Sequence, residues 1–164
     1  RDVNKYDVFN YGREMYDNHP VIQFDTIYEK GYYKIFAMMH VNVYSKDGEV
    51  FYYTATYDFN NKQEFIDYYA KVLDRSFIYT PQEYGDEIIA LSTCDFPFGL
   101  DKSMRFVVFA RRVRPGENPE VDVSQTIINY DPLYYDYWYS VFGGSWGGRK
   151  WDPALIKGYK PKES

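Results

Sequence analysis

Ile88-Ile89-Ala90-Leu91-Ser92-Thr93-Cys94, the run Asp95-Phe96-Pro97-Phe98-Gly99-Leu100-Asp101, and then Arg105-Phe106-Val107-Val108-Phe109-Ala110-Arg111-Arg112 read as two strands joined by one loop. Glu87 to Cys94 forms the first strand and Arg105 to Arg114 the second, while Pro97, Gly99 and Asp101 supply the turn chemistry between them. Side chains alternate along a strand, so Cys94 shares a face with Ser92, Ala90 and Ile88. Ala90 and Ser92 are small and leave room beside the sulfur. The thiol therefore lies at the mouth of a sheet, where a substrate can reach it. A lone cysteine is more often a small buried apolar residue, and one with a structural role more often lies mid-strand among large neighbours. If the two strands are neighbours, Arg105 starts close to where Cys94 ends. A guanidinium there favours thiolate over thiol, and it can hold a carbonyl or the oxyanion formed when a thiolate attacks one. Without such surroundings, an arginine at a strand start is ordinarily a solvated charge.

The flanking sequence is also largely strand. Val21 to Thr26 reads as a strand and Lys30-Gly31 as a turn. From Tyr32 to Tyr44 the residues Tyr33, Ile35, Ala37, Met39, Val41 and Val43 share one face, with Lys34, His40 and Asn42 on a polar face. Ser45-Lys46-Asp47-Gly48 predicts a hairpin turn, with Glu49 to Thr56 pairing back. Phe65, Tyr68, Tyr69, Val72 and Leu73 follow the spacing of a single buried stripe, so a helix is expected from about Lys62 to Asp74. Asn61 and Glu64 stand at capping spacing ahead of that helix. Residues 1–20 read as a short helix or irregular lead-in that ends at His19-Pro20. Beyond Pro115 the chain is rich in Pro, Gly and aromatics, as expected of an ordered extension with short helical pieces packed on the body. The fold class is mostly β, as a barrel or sandwich with one firm helix between strands.

Composition excludes several classes. The 164 residues fit one domain, and the net charge of −5 with no dense basic run argues against nucleic acid. The single cysteine allows no intrachain disulfide and no cysteine-rich metal site. No metal or other cofactor is called for: Glu83, Asp86 and Glu87 read as a solvated acidic loop, and Gly143-Gly144 and Gly147-Gly148 lack the Lys and Ser/Thr of a phosphate loop. No apolar run is long enough to cross a bilayer, and no signal segment opens the chain. The aromatic content, 21% of residues, reads mainly as sheet-packing side chains and secondarily as a surface for sugar or peptide.

Leu91-Ser92-Thr93-Cys94, a turn-rich loop and then Arg105-Phe106-Val107-Val108 resemble the active-site signature of class B sortases. His19-Pro20-Val21-Ile22-Gln23-Phe24-Asp25-Thr26 resembles the segment that follows the family's histidine loop. The helix around Phe65 resembles the one between the family's sixth and seventh strands. Val121-Asp122-Val123-Ser124, Asn129, Pro132-Leu133-Tyr134 and Trp138-Tyr139 resemble, more loosely, the C-terminal tail of some members. The resemblance implies a sortase-like closed β-barrel, with the catalytic domain's C-terminal part at 1–114 and an extension at 115–164. It implies a cysteine transpeptidase of the surface of a Gram-positive bacterium, on the outer face of the plasma membrane. Such an enzyme cuts a sorting signal after threonine and passes the acyl group to an amine of cell-wall precursor or a pilin. Cys94 would be the nucleophile, Arg105 the stabiliser of substrate or oxyanion, and Ser92, Thr93 and Asp95 would line the groove.

The family also uses a histidine as proton donor, and neither His19 nor His40 matches its position. The expectation is that this histidine, the early strands and any membrane anchor lie upstream of Arg1. Tyr11-Gly12-Arg13 superficially resembles the histidine loop with Arg13 in place of histidine, which would make the protein a degenerate sortase; Asp2-Val3-Asn4-Lys5-Tyr6 fits the segment downstream of that loop better. The competing readings are a catalytically inactive sortase-like domain that binds peptide or glycan, and a cysteine hydrolase that releases the same thioester to water.

Overall fold

The structure is a computed structural model that describes residues 5–54 and 59–160. At its centre is a four-stranded antiparallel sheet in the order β1-β2-β5-β4. Its strands are β1 (Val21–Gln23), β2 (Tyr32–Asn42), β4 (Ile88–Asp95) and β5 (Met104–Arg112). A second ladder joins β3 (Ile78–Tyr79) to β6 (Ile127–Ile128). Three α-helices accompany them: α1 (Lys5–Asn18), α2 (Lys62–Arg75) and α3 (Asp136–Phe142). The lead-in is thus a full helix, and α2 is not the only firm one. Among the described residues the sheet is open rather than closed, with β1 and β4 as its edges.

The central strands β2 and β5 are buried on both faces, which corrects the reading of a polar face on β2. A bulge between Ile35 and Ala37 adds a residue to β2 and exchanges its faces. Beyond it, Ala37, Met39 and Val41 join Val107, Phe109 and the apolar stripe of α2 in one core layer. Tyr33, Ile35 and Met38 join Phe106, Val108 and Tyr16 of α1 in the other. The expected single stripe of odd-numbered residues is therefore split between the two layers.

α2 forms where its pattern requires. The Asn61 side chain caps the first turn by accepting from Glu64 N at 3.0 Å, and the Glu64 carboxylate reaches back to accept from Asn60 N, just before the cap, at 3.0 Å. Phe65, Ile66, Tyr69, Val72 and Leu73 then face the sheet.

The expected strand Glu49–Thr56 does not form over its described part, 49–54, which is irregular; residues 55 and 56 lie outside the described residues. The hairpin turn is instead a short helical turn at Ser45–Asp47. A returning strand would need an open side of β2. One side carries β5, and the other carries β1 and then Phe77, whose N donates to Met38 O at 2.8 Å. Gly48, with φ of 125°, lets the chain turn off against α3, where a Cβ would lie 2.6 Å from Asp136 N.

The segment after β5 is built into the body. Trp151 and Ile156 are part of the α2-side core, and Tyr135 and Trp138 pack on Met104. Asp74, at the end of α2, holds this segment in place. Its buried carboxylate accepts a two-pronged Arg149 contact at 2.8 and 2.7 Å and the Trp151 indole N–H at 2.7 Å. Asp74→Ala removes the acceptor and leaves the indole N–H unpaired. It is expected to cost about 2–3 kcal/mol in denaturant unfolding, with Trp151 fluorescence shifting toward that of exposed indole. A loss near zero would show that the aromatic packing alone docks the segment.

Candidate active site

β4 and β5 pair with Cys94 directly opposite Arg105. Directly opposed residues in an antiparallel ladder project to the same face with Cβ atoms about 5 Å apart. The register therefore places the thiol and the side chain of Arg105 together, with Val41 of β2 next in the row. Cys94 is exposed, because β4 is an edge strand whose residues from Ala90 to Cys94 carry no covering layer. Arg105 is half-buried. Its Nη1 donates to Ser103 Oγ and to Met104 O, both at 2.9 Å. Its Nε and Nη2 donate to no protein group among the described residues, so they are available to an incoming oxygen.

Of the other expected groove residues, alternation puts only Ser92 on this face. Its hydroxyl is 2.9 Å from the Tyr53 hydroxyl, which brings the irregular segment after β2 to the rim of the site. Tyr53 carried no sequence signal, since its stretch reads as strand. Thr93 is opposite Phe106, and Asp95 opposite Met104, on the far face. Those two residues are thus separated from the thiol by the sheet itself.

On that far face lies a hydrogen-bonded chain that the sequence reading missed. His40 is 2% exposed rather than a surface residue. Its Nε2 is 3.0 Å from Asp95 Oδ2, and its Nδ1 is 3.1 Å from the Tyr135 hydroxyl. The only signal in the sequence was a histidine set among otherwise apolar residues of one long strand. The chain ties the residue that opens α3, the C-terminal end of β2 and the residue next to Cys94 into one unit. The His40 hydrogen bond holds the Asp95 carboxyl below its ordinary range, against the opposing effect of burial. Burial pushes the Tyr135 phenol up, so it stays protonated and can donate. His19 is exposed in the turn before β1, at the other end of the sheet from Cys94. Neither histidine faces the thiol.

An exposed thiol on the same face as a guanidinium with free donors has the parts that acyl transfer uses: a sulfur to attack a carbonyl and donors to stabilise the resulting oxyanion. Among the described residues no group of three or more His, Cys, Asp or Glu is placed to hold a metal ion. The acidic residues near 86 are engaged in ion pairs, Asp86 with Arg114 at 2.7 Å and Glu87 with Arg112 at 3.1 Å.

No family model matches the chain, and no curated protein does. Solved structures do. The chain is similar to class B sortases. A complex of Staphylococcus aureus sortase B with substrate aligns at 25% identity and a TM-score of 0.48, over 66% of this chain and 49% of that one. Sortase B from Listeria monocytogenes aligns at 25% identity and 0.46, over 65% and 55%. A mutant form of Clostridium perfringens sortase B aligns at 16% identity and 0.46, over 70% and 53%. The chain thus spans about half the length of these solved structures. None of the described helices is long and apolar enough to cross a membrane.

The lowered Asp95 pKa makes a signed prediction. A carboxyl whose folded value is depressed contributes stability above its unfolded value of about 3.9 and loses it as pH falls through the folded value. Thermal melts between about pH 6 and pH 2 should therefore show Asp95→Asn less stable than the parent at the upper end. The two should converge at the acid end. A difference that does not change with pH would show that the His40 hydrogen bond does not favour the ionised Asp95 carboxyl.

Proposed function

We propose that this chain is the cysteine-bearing part of a sortase-like transpeptidase, with Cys94 as nucleophile and Arg105 as the group that stabilises the oxyanion. The observation that carries the reading is the cross-strand register of Cys94 and Arg105 at an exposed sheet edge. The signature quoted above, Leu91 to Cys94 followed by Arg105, supports the same roles. The chemistry runs in two halves. The Cys94 thiolate attacks the carbonyl carbon of a threonine in the substrate, and the oxyanion takes the free Nε and Nη2 donors of Arg105. The peptide C–N bond breaks, the amine leaves with a proton, and a thioester remains. An acceptor amine then attacks the thioester carbonyl, the C–S bond breaks with departure of the Cys94 thiolate, and the new amide nitrogen gives up its extra proton.

Because His40 is turned to the far face and His19 is at the other end of the sheet, the proton for the leaving amine comes on this reading from a group outside the described residues. Ser92 and Tyr53 line the thiol's side of the groove. Thr93 contributes exposed surface on the far face, and Asp95 acts through strand position rather than by touching substrate. The substrate is a sorting-signal peptide of a secreted protein, and the acceptor is an amine of cell-wall precursor or pilin. The site of action is the outer surface of a Gram-positive cell, with residues 115–164 as an extension of the catalytic domain.

In the full-length natural protein, Cys94→Ala should abolish cleavage of a threonine-containing sorting peptide and formation of the thioester, read by intact mass. Arg105→Lys should lower kcat/KM by about a hundredfold, because a point ammonium cannot present two parallel N–H donors. Near-parental activity in Arg105→Lys would sink the role given to that residue. Added amine acceptor should raise the yield of amide product; a rate indifferent to acceptor would identify a hydrolase.

A further inference from the structure

We propose that the cavity between α1 and α3, remote from the thiol face, is a binding site for a saccharide. It has a volume of about 370 Å3. Its aromatic wall is fixed from behind. Phe9 and Tyr134 both lean on the buried ring of Phe77, at centroid distances of 5.4 and 6.3 Å. Tyr134 stacks on Trp138 at 4.1 Å and 8°. Tyr130 extends the wall outward, 5.8 Å from Phe9, and is 82% exposed. An exposed tyrosine on a pre-packed aromatic base presents a flat apolar face at small entropic cost.

The polar groups around this wall are suited to hydroxyls. Asn10 and Ser145 line the cavity, and their side chains make no hydrogen bond among the described residues. Asp131 is held by Gly147 N at 3.1 Å and Lys150 Nζ at 2.6 Å, both on Oδ2, which leaves Oδ1 to accept from a ligand. Gly143 and Gly144, with φ of 73° and 81°, close the cavity with backbone that has no other heavy atom within 4 Å of where a Cβ would be. A pyranose offers what this arrangement takes: one apolar face of C–H groups for the tyrosine, and several hydroxyls for a carboxylate, an amide and a serine.

Other ligand classes fit less well. The residues lining the cavity include no Lys or Arg, and the one cation at its edge, Lys150, is already paired with the lining carboxylate of Asp131, so phosphates and carboxylates find no free counter-charge and meet an acidic group. Its walls are helix and loop, with no strand edge along which an extended peptide could pair. The proposal does not depend on the transpeptidase reading, since Cys94 and Arg105 take no part in it.

The test is calorimetric titration of the full-length protein with cellotetraose and with chitotetraose, alongside a proline-rich peptide. At least one of the two sugars should bind saturably in the millimolar range or tighter. Tyr130→Ala and Asn10→Ala, both at exposed positions, should leave the melting temperature unchanged, and Tyr130→Ala should weaken binding by about tenfold or more. Cys94→Ala should bind sugar as the parent does, which separates this site from any failure of the catalytic reading. No saturable binding of either sugar, binding that both cavity variants leave intact, or binding of the peptide in place of the sugars would each overturn the proposal.

Discussion

Met39, Val41, Val107 and Phe109 are buried on one side of the sheet, and Met38, Phe106 and Val108 on the other, so a slip of one residue between β2 and β5 would move the whole set of the slipped strand to the wrong layer. That ladder therefore has a strongly specified register, and the sites built on it inherit the precision. β4 pairs on the outer side of β5, and the position of Cys94 follows from that of Arg105, which follows in turn from Val41. Two side chains on a central strand and its neighbour gain a fixed separation without any contact between them.

The bulge at Phe36 has a second effect. By exchanging the faces of β2 it places Val41 on the α2 side and His40 on the α1 and α3 side. His40 is thus enclosed and bonded at both ring nitrogens. A buried imidazole bonded at both nitrogens ties together the elements that bear its partners. Its connections run from the C-terminal segment to the residue after Cys94. The loop that follows is held in the same way: Lys102 reaches Asp47 at 2.8 Å and lies over the Tyr137 ring, and Phe98 packs edge-on against Tyr137. The aromatic residues after 130 thus brace the strand ends that carry the thiol and the guanidinium, and on their outer side they leave the cavity beside α1.

Local pattern and tertiary context contributed differently to what could be read in advance. The alternation of Ile88 to Cys94, the apolar stripe of α2 and the cap at Asn61 and Glu64 are local, set by side-chain direction and by the amides of one helix turn, and each is found in place. The strand expected over 49–56 did not form in its described part: β5 takes one side of β2, β1 and Phe77 take the other as far as Met38, and the chain turns off at Gly48 against α3. Propensity carries no knowledge of such occupancy.

The candidate site divides along the same line. From the sequence alone came a cysteine at a strand end with small residues on its face, and an arginine opening the next strand, because strand periodicity and turn chemistry act over a few residues. Only the tertiary structure decided that Cys94 and Arg105 are directly opposed, that Thr93 and Asp95 belong to the other face, that Tyr53 reaches Ser92, and that His40 is buried between Asp95 and Tyr135. Those facts depend on ladder register, on one extra residue in β2 and on packing between segments far apart in the chain, and no short-range pattern encodes them.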